Sequence, residues 1–90
     1  MLSLIKKSAI VSGGSKGIGK AIAFKYAQAG ANVVICSRNK ENLNDAVIEA
    51  ESSGLKLIPI ECNTSNFDSI KSVVDLTLEK YVKVDVLVNN

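Results

Sequence analysis

Four glycines lie within seven residues near the start of the chain, in the stretch SGGSKGIG (12–19). An apolar run precedes them and an Ala- and Ile-rich run follows, so they fall where a strand would turn into a helix. The N–H groups at a helix N-terminus are unpaired and partly positive, and glycines let a backbone approach phosphates without a Cβ in the way. The stretch therefore predicts a pyrophosphate cradle; the alternative is a tight turn that holds no ligand. The candidate cradle residues are Gly13, Gly14, Ser15, Lys16, Gly17, Ile18 and Gly19, with Ser12 and Ser15 as possible hydroxyl donors.

A second group with binding chemistry follows the next apolar run, in ICSRNK (35–40). In a dinucleotide site built on a βαβ unit, a carboxylate at the end of the second strand binds the ribose 2′-hydroxyl of NAD and repels a 2′-phosphate. Here that position holds Ser37 and Arg38 and no acid. Ser37 can donate a hydrogen bond to a phosphate oxygen, and Arg38 can pair with a phosphate and stack on adenine. With Lys16 as a further cation, this favours NADP(H); ordinary solvated surface charge is the alternative.

These residues need strands and helices that bring them to one edge of a sheet. Short Val- and Ile-rich runs predict four buried strands, over 8–11, 32–37, 56–60 and 84–88, with Pro59 indicating an edge or a strand end. Amphipathic helices between them give the order β-α-β-α-β-α-β and imply parallel pairing through right-handed crossovers. We therefore expect an α/β fold, a Rossmann-like doubly wound parallel sheet in the order 3-2-1-4, formed by one unit over residues 1–90.

The helices themselves are predicted from apolar spacing and end signals. The predicted buried faces are Ile18, Ile22, Tyr26 and Ala29 in the first helix, Leu43, Ala46, Val47 and Ala50 in the second, and Ile70, Val73, Val74, Leu78 and Tyr81 in the third. Gly30 and Gly54 are natural C-terminal stops, Asn39 is a candidate N-cap, and Ser65 with Asp68 resembles a capping box.

The glycine spacing Gly13-x-x-x-Gly17-x-Gly19 differs from the standard G-x-G-x-x-G pattern, and it resembles the T-G-x-x-x-G-I-G signature of the short-chain dehydrogenase/reductase family, with Ser12 in place of Thr. CNT (62–64) stands where that family carries a D-V-type pair, and VDVLVNN (84–90) resembles the strand leading into its N-N-A-G motif. The resemblance covers the whole chain, and within the family the chain is similar to 3-oxoacyl-acyl-carrier-protein reductases or to general alcohol and ketone reductases. It implies hydride transfer between NADP(H) and a small carbonyl or alcohol substrate, in a complete protein expected to be a homo-oligomer.

The resemblance also assigns roles to four further residues, three of them on the cofactor side. Asn63 would contact the adenine, because its amide can accept and donate hydrogen bonds where the family more often has Asp, and Thr64 would present its backbone to the adenine ring. The alternative for Asn63 is a loop residue or a helix cap. Asn90 would line the cofactor ribose, and Asn89 would be mainly structural.

The family's catalytic Y-x-x-x-K pair, in which a nearby Lys lowers the pKa of the Tyr, is not found in this sequence. Tyr26 is followed four residues later by Gly30, and Tyr81 by Asp85, so no residue is assigned as catalytic and both tyrosines are predicted to be core residues. The chain is expected to be a cofactor-binding half-domain truncated before the catalytic segment, inactive alone, and poorly stable because its fourth strand would be left as an apolar edge.

Composition also argues against several other classes of protein. The net charge of +2 and the scattered lysines argue against nucleic-acid binding. No apolar stretch is long enough for a bilayer, and no secretory signal is recognisable, so a cytoplasmic protein with two reduced, packed cysteines, Cys36 and Cys62, is expected. There is no His and no metal-type spacing, so no metal site is predicted. Two other hypotheses remain: a non-catalytic nucleotide-binding module that pairs with itself or a partner, and a Rossmann-like domain of another class such as a methyltransferase.

Overall fold

The computed structural model describes residues 4–63, 67–81 and 83–89. Across these residues the chain alternates strands and helices in the order β1 (Ser8–Ser12), α1 (Gly17–Gln28), β2 (Asn32–Ser37), α2 (Lys40–Ser52), β3 (Leu57–Glu61), α3 (Phe67–Tyr81) and β4 (Val86–Asn89). The strands form one parallel sheet in the order β3-β2-β1-β4. The predicted fold class and strand order are therefore confirmed.

The sheet is covered on both faces, which explains why the inner residues of its two central strands, 9–11 and 33–36, are all apolar. All five residues of β1 are buried. On one face, α1 and α2 pack over a cluster centred on Val11, Val33 and Ile35. On the other face, α3 packs over a second cluster that includes Ile10 and Val34. Successive residues of β1 and β2 thus alternate between two cores, as expected for a strand buried on both sides.

The end signals of the first two helices act as the sequence predicts. The Asn39 side chain accepts a hydrogen bond from the Asn42 N–H at 3.0 Å, so it caps α2. Gly30 and Gly54 follow α1 and α2 with positive φ values of 98° and 74°. This left-handed conformation ends a helix at little cost when the residue is glycine. The capping box predicted at Ser65 lies outside the described residues.

Two of the predicted helix faces are partly wrong. In α1 the buried residues are Gly19 and Ala23, whereas Ile18 is 73% exposed. Small side chains at Gly19 and Ala23 let the helix axis approach the sheet closely, and this turns Ile18 outward. In α3, Thr77 is buried and Leu78 is 40% exposed; the Thr77 hydroxyl can be buried because it donates to the carbonyl oxygen of residue 73 at 2.8 Å. The face predicted for α2 is confirmed, with Leu43, Ala46 and Ala50 buried.

The strand boundaries differ from the apolar runs by one or two residues, because ladders include polar residues. β1 extends to Ser12, which pairs with Cys36 on one side and Asn89 on the other. At the other end of β4, the Asp85 carboxylate accepts a hydrogen bond from the Ser8 N–H at 2.8 Å, and the Asp85 N–H donates to the Ser8 carbonyl at 2.9 Å. This side-chain contact replaces a ladder pair, so β4 begins at Val86 rather than at residue 84.

Candidate nucleotide-binding site

The carboxyl ends of the parallel strands meet at one edge of the sheet, and those predicted cofactor residues that the structure describes lie there. The Gly13 N–H donates to the Cys36 carbonyl at 2.9 Å, which holds the start of the glycine loop against the end of β2. The Cys62 N–H donates to the Ser37 carbonyl at 2.9 Å, which holds the end of β3 against β2 from the other side. The loop after β1, the end of β2 and the residues after β3 therefore form one continuous edge.

The glycine loop lies so close to the strands that Gly14 has no room for a side chain. A Cβ on Gly14 would stand 2.6 Å from Ile35 Cγ2 and 3.0 Å from the Val11 carbonyl oxygen. Gly17 meets a different requirement, because its φ of +57° is left-handed while a Cβ there would meet no atom within 4 Å. The loop backbone is thus pressed onto the sheet at Gly14 and turned sharply at Gly17, with Ser15 buried between them.

The loop leads into a helix whose N-terminus is open. Lys16 is the N-cap of α1, and no side chain among the described residues caps the first turn, which contains no acidic residue. Gly17 and Ile18 begin the helix at the surface. By contrast, α2 starts at the same edge with its first turn capped by Asn39 and carrying Glu41. The partial positive charge and free N–H groups of an uncapped N-terminus suit an anion, so of these two helices α1 is the better phosphate site.

The end of β2 is also arranged to meet an anion. The Asn39 N–H donates to the Ser37 hydroxyl oxygen at 3.1 Å, which orients that side chain and leaves its own O–H free to donate. Arg38 is exposed beside it. The two residues line an open polar depression together with Asn39, Lys40 and Glu41. Lys40 is a cation that the sequence analysis did not select, although its place two residues after Arg38 at the start of α2 is a signal that could have found it.

The remaining predicted residues divide between those that the structure describes and those that it does not. Asn63 follows Cys62 directly and is half-buried, at the same edge as Ser37. Thr64 and Asn90 lie outside the described residues. Ser12, expected as a possible hydroxyl donor, is buried on the α3 side of the sheet. It lines a small apolar cavity of about 80 Å³ with Ile10 and Cys36 and does not face the loop.

Neither cysteine is positioned to act as a nucleophile. Cys36 and Cys62 are free thiols, and both are buried under α3. Burial, followed by the neighbouring Cys62 thiol, raises the pKa of Cys36 to about 12. The Cys36 thiol therefore stays protonated at neutral pH, and a protonated thiol is inert.

The two tyrosines are packing residues, as predicted. Tyr26 packs against the core under α1 and α2, and Tyr81 against the core under α3. Burial raises the pKa of Tyr81, which is the opposite of the lowered pKa that a proton-donating tyrosine beside a lysine requires.

Among the described residues there is no group of three or more potential metal ligands, and no helix is both long and apolar enough to cross a membrane.

Comparisons with known proteins agree with this geometry. The sequence model of the family described as short chain dehydrogenase matches residues 7–90. Tropinone reductase-like 3 of Erythroxylum coca is 40% identical over 84 residues, which cover 93% of this chain and 33% of that protein. The 3-oxoacyl-(acyl-carrier-protein) reductase FabG of Thermotoga maritima is 43% identical, again over 93% of this chain and 34% of the relative.

The fold comparison gives the same result. The crystal structure of a hydroxysteroid dehydrogenase from Escherichia coli superimposes with a TM-score of 0.90 at 36% identity, covering 98% of this chain and 37% of that one. The present chain thus spans about a third of the length of the curated relatives that it matches. With the family match, the shared strand order and the glycine loop in agreement, this chain belongs to the short-chain dehydrogenase/reductase family.

Proposed function

We propose that this chain is the NADP(H)-binding portion of a short-chain oxidoreductase that transfers hydride between the cofactor and a small carbonyl or alcohol substrate. The observation that carries the proposal is the open N-terminus of α1 beneath the glycine loop, beside a β2 end that carries Ser37 and Arg38 and no acid. Gly14 shapes the loop at this site, because a Cβ there would clash with Ile35 and with the Val11 carbonyl oxygen.

Each part of the edge would hold a different part of the cofactor. The loop N–H groups and the start of α1 would bind the pyrophosphate. Ser37 would donate to a 2′-phosphate that Arg38 and Lys16 neutralise, and the planar Arg38 guanidinium can also cover the adenine. The Asn63 amide can accept from the adenine amino group and donate to a ring nitrogen. The bound cofactor would supply the hydride, and this chain would bind and orient it.

The test is a titration of NADPH and NADH against the purified chain, followed by nicotinamide fluorescence. A charge-assisted contact to phosphate contributes about 1.5–3 kcal/mol, so we expect Arg38→Asp to weaken NADPH binding by roughly 10-fold to 100-fold and to leave NADH much less affected. Lys56→Asp is the matched control, because Lys56 is exposed and precedes β3 at the opposite edge of the sheet. Equal NADPH affinity for both variants would remove Arg38 from the site.

A non-catalytic nucleotide-binding module is the second candidate. The observation behind it is that both tyrosines pack against the cores and neither has a lysine four residues later, which is compatible with both functions because the chain spans about a third of the length of its relatives. Both functions predict that this chain alone binds NADPH without turnover, so the gene sequence that follows the codon for Asn90 distinguishes them. An Ala-Gly pair followed later by a Ser and a Y-x-x-x-K pair supports the oxidoreductase, whereas an immediate stop codon supports the module. Binding of S-adenosylmethionine at least as tight as that of NADPH would instead favour the methyltransferase class.

A further inference from the structure

Glu61, at the end of β3, is the neighbour of Ser37, the residue at the end of β2 that is predicted to bind the 2′-phosphate. In the parallel pairing of β2 with β3, Glu61 is the register partner of Ser37. The hydrogen bond from the Cys62 N–H to the Ser37 carbonyl, at 2.9 Å, continues the pairing one residue further. Backbone pairing before Glu61, between Cys36 and Ile60, and the Cys62 hydrogen bond after it thus hold Glu61 beside Ser37.

The side chains of this pair lie on the same face of the sheet. Val33 and its partner Leu57 both belong to the core under α1 and α2, whereas Val34 and its partner Ile58 pack on the α3 side. Continuing the alternation along β2 and β3 places Ser37 and Glu61 on the α2 face, where the polar depression begins.

The Glu61 side chain is exposed, and it forms no ion pair with any residue in the described part of the chain. Among the residues that the structure describes, ion pairs join Lys20 to Glu49, Lys71 to Asp75 and Lys83 to Asp85, and none includes Glu61. Its charge therefore acts on whatever binds beside it.

We propose that Glu61 is a selectivity residue of the nucleotide site, whose carboxylate repels a 2′-phosphate at Ser37 and so narrows the preference for NADPH over NADH. The inference rests on the proposed function. Neighbouring strands are about 4.8 Å apart, so the carboxylate comes within roughly 5–8 Å of a phosphate bound by the Ser37 hydroxyl. That separation is shorter than the Debye length at physiological salt, so the repulsion is felt although the residue is exposed. Arg38 and Glu61 then act in opposite directions on the same phosphate.

The experiment compares Glu61→Gln with the parent chain by titrating both with NADPH and NADH. Removing one negative charge at this distance should tighten NADPH binding about five-fold, leave NADH within about two-fold, and lose most of its effect at high salt. Glu61→Lys should move NADPH affinity further in the same direction. Glu51→Gln is the matched control, because Glu51 is exposed near the C-terminal end of α2, away from this edge.

The outcomes separate this inference from the function on which it rests. An NADPH-to-NADH affinity ratio that rises in both Glu61 variants and not in Glu51→Gln supports the inference. If Arg38→Asp weakens NADPH while both Glu61 variants keep the parental ratio, the site stands and Glu61 is excluded from it. If the parent chain binds neither nucleotide, both the proposed function and this inference are overturned. Melting temperatures close to the parental value would show that the variants are folded, so that differences in affinity are not caused by unfolding.

Discussion

Replacing Gly14 with alanine tests whether the glycine loop is held against the sheet as closely as the structure shows. The added Cβ would stand 2.6 Å from Ile35 Cγ2, 3.0 Å from Ile35 Cβ and 3.0 Å from the Val11 carbonyl oxygen. Ile35 is fully buried, so its side chain has no solvent to move into. The Val11 carbonyl belongs to β1, the central strand buried on both faces. The clash can be relieved only by lifting the loop or by distorting the core.

The expected cost follows from these contacts. Adding a methyl group to a well-packed interior costs about 1–3 kcal/mol, and the upper half of that range applies because one of the atoms in the way is backbone. For a domain of this size each kcal/mol lowers the melting temperature by about 4–8 °C, so we expect Gly14→Ala to melt roughly 10–20 °C below the parent. Lifting the loop should also weaken NADPH and NADH to a similar extent, because the pyrophosphate is common to both.

A double-mutant cycle with Ile35→Leu separates the clash from a general loss of loop conformation. Leucine has no branch at Cβ and so removes Cγ2, at a cost of less than about 1.5 kcal/mol. In that background Gly14→Ala should be milder by roughly 1 kcal/mol, because only the contacts with Ile35 Cβ and the Val11 oxygen remain. Gly17→Ala is the control: its cost of about 1 kcal/mol comes from the left-handed φ and should not depend on residue 35. Urea unfolding measures all four corners, and strictly additive free energies would refute the close approach.

Two further predictions concern pH. The Ser8 N–H, followed by the Lys83 charge, holds the pKa of Asp85 below its usual 3.8, so its contribution to stability is present above that pH and is lost as the pH falls below it. Asp85→Asn keeps an acceptor but does not titrate, so its unfolding free energy measured in urea should change less below pH 3.8 than that of the parent; equal slopes would contradict this. Burial raises the pKa of Cys36 from 9.0 to about 12, so its contribution is present below pH 9 and is lost as the pH rises toward 12. Cys36→Ala should therefore have a shallower decline of stability above pH 9 than the parent, and an unchanged decline would show that other groups cause it.

A structural feature is predictable from the sequence when the residues that determine it are close together in the chain. The Asn39 cap and the Gly54 stop are predictable because a helix end is decided by residues within one turn of it. The buried face of α1 is not, because apolar spacing selects the row with Ile18, whereas close approach to the sheet selects the row of small residues with Ala23. The position of Glu61 beside Ser37 is harder still to predict. The two residues are 24 positions apart in the chain, and neither strand's sequence alone determines the register in which β2 and β3 pair.

The glycine loop and the β2–β3 pair would contribute differently to the discrimination between NADPH and NADH. The open N-terminus of α1 and the loop above it attract any pyrophosphate, so on the proposed function they determine affinity without distinguishing NADPH from NADH. On the same proposal, the carboxyl ends of β2 and β3 would lie beside the 2′-phosphate, which is the only group in which the two cofactors differ, and there Arg38 and Glu61 carry opposite charges. Substitutions of the loop glycines should therefore change both affinities together, whereas substitutions of Arg38, Glu61 or Lys16 should change their ratio. On this proposal the electrostatic selectivity depends on the balance between the Glu61 carboxylate and the cations Arg38 and Lys16, and a single charge reversal at Arg38 or at Glu61 should shift the ratio of the two affinities.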